Sequence, residues 1–418
     1  MPLTSHIVRT VGSIGTDSVI SVLGRRTVLN AHGSEDCMKA LVIGAGMMGS
    51  AMAYDLAHSE GVAEVLLADV SYERAEAVAL SLGEKVHPLK LDVHYYDDVV
   101  YVMSTVDVAF GATSYTHNHL LARAAIEAGV HFCDLGGNMD VVDRQLLLGM
   151  RAKEAGVCVI PNCGLAPGMA CVIAAGAAKK FEHVDEIHIR VGGLPQHPQP
   201  PLNYQLVFSA EGLINEYLEP AEAIRDGRIQ NVESMTECEE LEFPPPFGKL
   251  EAFHTSGGIS TLTRMFDGKA RNIDYKTIRY RGHCEKFKTL LELGFASAEP
   301  IIVGNSASTV REFFENLLRK KLTSNGPDVV LMRVTVSGTM DDRKRTLAYE
   351  MTDYYDTSLN MTSMMRTTAF PTSIIGQMVV SGTIAAHGVF PPEQCVPMEP
   401  FLAELRKRNI IVKESLVG

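Results

Sequence analysis

From residue 38 onward, short apolar runs alternate with stretches in which apolar residues recur at helical spacing. Residues 40–43 form the first run, the pattern of a strand buried on both faces. A helix is predicted over 50–58 and stops at Gly61. The strand 64–68 ends at Asp69, the helix 72–82 ends at Gly83, and the strand 86–91 ends at Asp92. A helix around 97–103, a strand over 107–112 that ends in Thr113, and a helix over 117–128 closed by Gly129 come next. The strand 131–133 ends at Asp134, the helix 141–155 stops at Gly156, and the strand 157–160 follows. Glycine after each helix and polar residues after each strand punctuate repeated strand–helix units. Joined by right-handed crossovers, such units build an α/β doubly wound parallel sheet whose ligand lies at the carboxyl ends of the strands. Asp69, Asp92, Thr113 and Asp134 all stand at such ends.

After Gly168 the pattern changes. A helix over 169–180 leads to the alternating strand 187–191 and a proline-rich loop over 195–201. Residues 329–338 and 346–352 alternate apolar and polar positions across an Asp341-Asp342 turn, as an antiparallel hairpin with one covered face does. A second domain built on a mixed or antiparallel sheet is therefore expected. The tail over 363–384 has helical character broken at Pro371 and is expected to pack back on the first domain. The division is 38–164 plus 355–418 for the first domain and 165–354 for the second. Residues 1–37, rich in Ser, Thr and Val with Arg9, Arg25 and Arg26, stand outside this plan. They read as a transit-like peptide, a segment upstream of a start at Met38, or an ordered arm.

The first strand runs into Gly44-x-Gly46-x-x-Gly49. Gly44 allows the tight turn, Gly46 lets the backbone approach a pyrophosphate, and Gly49 lets the helix pack on the strand. The free N–H groups and dipole of the helix start then favour an anion. Asp69 follows about 20 residues on, where a ribose-binding carboxylate belongs. These features predict a Rossmann dinucleotide site made by Gly44, Ala45, Gly46, Met47, Met48 and Gly49, with Asp69, Asp92, Ala112 and Thr113 at the strand ends. A carboxylate at 69 repels a 2′-phosphate, and no Arg follows it directly, so NAD is expected over NADP. Arg74 is read as a solvated helix residue.

Composition narrows the class further. The chain has 418 residues, 46% hydrophobic and 21% charged, enough for two or three globular domains. A net charge of −12 argues against nucleic acid or an anionic membrane as partner. No apolar run approaches about 20 residues, so no membrane span is expected. The eight cysteines show no C-x-x-C pair and no zinc spacing, and read as buried thiols in a reducing compartment. A cytoplasmic location is expected, with organellar import through residues 1–37 as the alternative.

Motifs spread over nearly everything after Met38 carry a specific likeness. They are Gly164-Leu165-Ala166-Pro167-Gly168, Gly192-Gly193-Leu194-Pro195, Pro201-Leu202-Asn203-Tyr204, Glu211-Gly212-Leu213-Ile214-Asn215-Glu216-Tyr217, Phe253-His254-Thr255-Ser256-Gly257-Gly258, Tyr275-Lys276-Thr277-Ile278-Arg279-Tyr280 and Ser363-Met364-Met365-Arg366-Thr367-Thr368. Together with the glycine loop they resemble the saccharopine dehydrogenase-like superfamily, most closely its lysine 6-dehydrogenase branch. The resemblance implies a Rossmann domain closed by the C-terminal tail, an inserted α/β substrate domain, a homo-oligomer, and oxidative deamination of the ε-amino group of L-lysine by NAD to allysine, which cyclises, with release of ammonia. Saccharopine dehydrogenases usually carry Asp where this chain has Ala166, and Arg near the position of Glu211. A carboxylate there repels the glutarate arm of saccharopine and suits an ammonium.

An ε-amine gives up hydride from its carbon only as the free base, which at pH 7 costs roughly 4.6 kcal/mol. The site therefore needs a base or a desolvated pocket, a cation for the carboxylate and an anion for the ammonium. The candidates are His254, Glu211, Arg279, Tyr204 and Asp134. Glu211 reads as an ammonium contact or a plain helix-start charge. His254, in a polar glycine-rich loop, reads as a base or a structural histidine. Arg279, in an alternating strand, reads as a carboxylate clamp or an edge-strand surface charge. Tyr204 is a pocket wall or core, Asp134 stands near the nicotinamide side, and His283 is a lower-ranked base. Rival functions are a superfamily enzyme acting on a secondary amine, such as saccharopine or a carboxylated polyamine, and a non-catalytic NAD sensor.

Overall fold

The computed structural model describes residues 37–303, 306–324 and 326–417; the extension up to residue 36 lies outside them. Six predicted strands form: β1 (Met38–Ile43), β2 (Val62–Asp69), β3 (Val86–Lys90), β4 (Val108–Gly111), β5 (His131–Asp134) and β6 (Cys158–Ile160). With Gly388–Val389 they make a seven-stranded sheet in the order 388–389, β6, β5, β4, β1, β2, β3, parallel throughout. The order reverses between β1 and β4, which opens a crevice at their carboxyl ends. Ala40, Leu41 and Val42 are fully buried, as a strand covered by helices on both faces requires.

Helix α1 (Met47–Ala57) starts earlier than predicted because Gly46 itself is its N-cap. The helix predicted over 141–155 is two, Met139–Leu146 and Gly149–Glu154; the apolar period runs across the break.

The second sheet is mixed, as expected. Its main path runs β8 (Glu239–Phe243), β9 (Gly248–His254), β10 (Asn272–Tyr280), β7 (His183–Pro195), β11 (Asp328–Met340), β12 (Arg343–Tyr354) and β13 (Lys413–Val417). The β10–β7 pair is parallel and its neighbours are antiparallel. The predicted hairpin is β11–β12, turned by Asp341 and Asp342 at φ 52° and 57°. Strand β13 departs from the expected grouping, since it extends this sheet and not the first domain. All five of its residues are exposed, so no alternation marked it.

Two further helices shape the cleft, α2 (Ala210–Leu218) and α3 (His283–Glu292). The tail forms one helix, α4 (Ser363–Val380), with Pro371 inside it. The break expected at Pro371 does not occur. A proline inside a helix costs about 3 kcal/mol, and burial along most of α4 outweighs it. Gly376 lets the helix lie against Phe110, because a Cβ there would meet the ring at 2.3 Å. Among the described residues no helix is long and apolar enough to cross a membrane.

Candidate active site

At the crevice the glycines divide their work. A Cβ on Gly49 would lie 1.7 Å from the Gly44 carbonyl oxygen, and one on Gly44, at φ +108°, would lie 2.5 Å from the Ala112 oxygen. Both positions hold turn, helix and β4 together. A Cβ on Gly46 would meet nothing within 4 Å. No side chain caps the helix that Gly46 opens. An open approach beside uncapped N–H groups fits a pyrophosphate. Asp69 is buried, and its Oδ2 accepts from the Ala45 N–H at 2.8 Å while Oδ1 accepts from the Ser71 N–H at 2.9 Å. Each oxygen keeps a lone pair for a ribose hydroxyl. Arg74 is not simply solvated: a guanidinium nitrogen lies 3.6 Å from Asp69 Oδ1. Asp92 spends its Oδ1 on the His94 N–H at 3.0 Å and faces the His94 ring at 2.7 Å. Met47 is exposed, and Met48 turns into the cleft.

Between this crevice and the second sheet lies a cavity of about 240 Å³. Met48, Leu135 and residues 164–167 wall it from the first domain. Gly193, Tyr275, Thr277 and Arg279 line it from the sheet, with Glu216 from α2 and Met364 and Thr368 from α4. Alternation along β10 sends Tyr275, Thr277 and Arg279 to this face and Asp274 and Lys276 to the other. Gly193 keeps the wall open, since a Cβ there would meet the Met364 methyl at 2.6 Å.

Arg279 is 3% exposed, yet no carboxylate pairs with it among the described residues. Its Nε donates to the Tyr217 hydroxyl at 2.9 Å, and its guanidinium carbon sits 4.7 Å above the Tyr204 ring. The Tyr217 oxygen is 3.1 Å from His283 Nε2, and His283 Nδ1 is 3.0 Å from the Leu202 carbonyl. Burial, then the Arg279 charge, pushes His283 down to about 3. It is therefore a neutral imidazole that orients Tyr217 and Arg279, and not a base. Among the described residues no well-formed hydrogen bond holds the buried Tyr204 hydroxyl, although the Val207 N–H acts on its oxygen. A guanidinium on the cavity wall with no carboxylate partner among the described residues, backed by the Tyr204 ring, offers the donors that suit a carboxylate.

Several sequence-predicted residues stand elsewhere. His254 is fully buried but faces away from the cavity, across the strand pair from Lys276. Its Nε2 lies 3.1 Å from both Glu237 Oε2 and Arg225 Nη2, and its Nδ1 lies 3.2 Å from the Tyr275 carbonyl. Burial holds it below the usual histidine range. Asp134 is also fully buried. It accepts from Gln145 Nε2 at 2.6 Å, the Gly136 N–H at 2.7 Å and the Asn162 N–H at 3.3 Å, so it holds the loop behind Leu135 and does not enter the cleft. Burial pushes its carboxyl up to about 6 against those bonds. Glu211 is exposed in the first turn of α2 and does not line the cavity. The acid that does is Glu216, which sequence reasoning missed.

A larger opening of about 580 Å³ lies on the far face of the sheet, among His188, Arg190, Arg225, Glu239 and Lys276. Its charges already pair with one another. Asp274, for example, contacts His188 and Arg190 at 2.7 Å and Arg225 at 3.2 Å.

The uncapped glycine loop, the ribose-side carboxylate and a polar cleft against a second sheet define a Rossmann-type oxidoreductase with a nicotinamide dinucleotide as cofactor. Residues 40–160 match the saccharopine dehydrogenase NADP binding domain and residues 164–411 the saccharopine dehydrogenase C-terminal domain; the chain belongs to the saccharopine dehydrogenase family. It is similar to carboxyaminopropylagmatine dehydrogenase of Synechocystis sp., 23% identical over 398 residues that cover 91% of this chain and 98% of that protein. It is also similar to the mitochondrial alpha-aminoadipic semialdehyde synthase of Mus musculus, 22% identical over 62% of this chain, but the match spans only 29% of that longer protein. The apo saccharopine dehydrogenase (L-Glu forming) of Saccharomyces cerevisiae has the same fold, with a TM-score of 0.75 at 20% identity over 91% of this chain and 100% of that one.

Proposed function

We propose that this chain is an NAD-dependent oxidoreductase that makes or breaks the C–N bond of an amine carrying one carboxylate and a second, cationic nitrogen. A carboxylated polyamine is the favoured substrate, and L-lysine is the second reading. The observation that carries the proposal is Arg279, a buried guanidinium on the cavity wall without a carboxylate partner among the described residues. One such cation suits one carboxylate. Saccharopine brings three, and among the described residues the cavity offers them no second guanidinium or ammonium. Around Tyr115 and Glu219 acids outnumber cations: Glu211 and Glu219 act on the Tyr115 hydroxyl and Asp140 acts on Glu219, while Arg311 opposes them at both. An acidic mouth favours a cationic tail and disfavours a dicarboxylate arm. The Synechocystis relative, aligned over its nearly full length, is named for a substrate that joins one carboxyl group to a cationic agmatine tail. That likeness supports a carboxylated polyamine over lysine in this reading.

In this reading the dinucleotide supplies hydride exchange with the carbon beside nitrogen. The residues that would hold it are Gly44, Gly46, Gly49 and Asp69. The protein's own work is to seat the carboxylate on Arg279, backed by the Tyr204 ring, keep Arg279 aimed through Tyr217 and His283, and hold the reacting carbon at the nicotinamide side of the cleft.

The substrate class is tested by the kcat/KM of a carboxylated polyamine or L-lysine relative to saccharopine. A preference on the order of 100-fold is expected, since saccharopine would leave buried carboxylates unpaired. A preference for saccharopine would overturn the reading. For the cofactor, Asp69→Ser should weaken NAD binding and shift the NAD/NADP ratio of kcat/KM toward NADP, where Arg74 offers a cation. An unchanged ratio removes Asp69 from the ribose site.

A further inference from the structure

Facing the same cavity as Arg279 stands an acid with no partner of its own. The Glu216 side chain lies in the last turns of α2, partly buried. Among the described residues it takes part in no hydrogen bond and no ion pair; only the charges of Arg279 and Glu219 act on it. Arg279 and Glu216 form no ion pair with each other either. A buried cation and a nearby acid that do not meet are an arrangement proteins normally avoid, because each charge has lost water and gained nothing. It becomes favourable when a ligand between them carries both signs.

The cavity wall narrows the chemistry further. Among the described residues that line it, only Glu216, Tyr275 and Arg279 titrate. Arg279 stays charged. Tyr275 is pushed above the usual phenol range by burial, and its hydroxyl is 3.3 Å from the Thr277 hydroxyl. His254, His283 and Asp134 are spent elsewhere. From these contacts we propose that Glu216 is the catalytic group that exchanges a proton with the reacting nitrogen of the substrate, an inference that rests on the cleft being an amine oxidoreductase site.

The step is a proton transfer alone. An N–H bond of the substrate ammonium breaks and an O–H bond forms on Glu216. The opposite charges cancel, and no electrons change hands. The freed lone pair is what the carbon beside it needs before it can give up hydride; in the reductive direction Glu216 returns the proton. Its surroundings tune it for both. Burial raises its carboxyl, Arg279 across the cavity lowers it, Glu219 on the next turn raises it, and the outcome is about 7. Tyr204, Tyr217 and Tyr275 are the remaining titratable neighbours, and burial keeps all three protonated near neutrality. A group that titrates near the working pH can both accept and donate.

The test compares wild type, Glu216→Gln and Glu216→Asp with L-lysine and a carboxylated polyamine as probes. In Glu216→Gln, kcat and kcat/KM should fall together by about 10²- to 10³-fold. The acid limb near pH 7 in kcat/KM should vanish, and Glu216→Asp should restore a limb and part of the rate. A readout independent of turnover is the proton released when the probe binds in the presence of NADH, measured by calorimetry at pH 7 in buffers of different ionisation enthalpy. Wild type should release about half a proton and Glu216→Gln none. An unchanged pH limb, or a change in KM alone, would reduce Glu216 to a binding contact and overturn the inference while sparing the reading of the cleft. Wild-type protein that turns over no amine at all overturns both.

Discussion

Arg279→Met should lower kcat/KM for the amine substrate by about 30- to 1,000-fold without lowering the thermal midpoint. Losing a charge-assisted contact in a buried site costs about 2–4 kcal/mol in the transition state. The unchanged stability is the sharper half of the expectation. Removing one member of a buried ion pair normally destabilises strongly, because the other charge is stranded. Arg279 has no carboxylate partner among the described residues, and methionine fills much of the same volume over Tyr204. The Tyr217 hydroxyl loses one donor but keeps His283. Steady-state kinetics and a melting curve on the same preparation decide it. A fall in stability equal to the fall in activity would make Arg279 a structural residue.

Gly46→Ala and Gly49→Ala should separate cofactor binding from folding. At Gly46, φ is −76° and a Cβ meets nothing, so alanine should leave the midpoint unchanged. The same methyl stands where a pyrophosphate must approach, so the dinucleotide Kd should rise by at least about tenfold. At Gly49 the added carbon runs into the Gly44 carbonyl, and overpacking of this kind costs about 1–3 kcal/mol. Gly49→Ala should therefore lower the midpoint before any ligand is added. Dinucleotide titration followed by fluorescence, beside thermal unfolding, checks both. Equal effects of the two substitutions would contradict the division of labour among the glycines.

The first domain was legible because its constraints are local. Strands buried on both faces are continuous apolar runs, and glycines mark the helix ends and the close approach of α1 to β1. Asp69 lies at a fixed distance from those glycines, and it stands at the mouth of the crevice. The second domain was legible as a sheet but not as a site. Period two says that Tyr275, Thr277 and Arg279 share a face. It does not say which face meets the first domain, and so the pattern alone groups His254, one strand away and just as buried, with Arg279 although it points to the other side. Helical period failed at Glu211 for a related reason. Glu211 and Glu216 flank the apolar face of Ala210, Leu213, Ile214 and Tyr217 on opposite sides. Only the packing of α2 decides that Glu216 is the one in the cavity. Asp134 ends a strand as a ligand-binding residue would, but the Leu135-Gly136 turn folds back and claims the carboxylate with an amide.

The measurement that bears most directly on the central claim is reduction of NAD at pH 9 to 10, with a carboxylated polyamine, L-lysine and saccharopine offered separately and ammonia assayed in parallel. NADH should form with the polyamine or with lysine, with stoichiometric ammonia only in the lysine case, and little with saccharopine. Turnover of saccharopine alone would contradict it, because a cleft with one unpaired arginine and an acid beside it would then be holding three carboxylates.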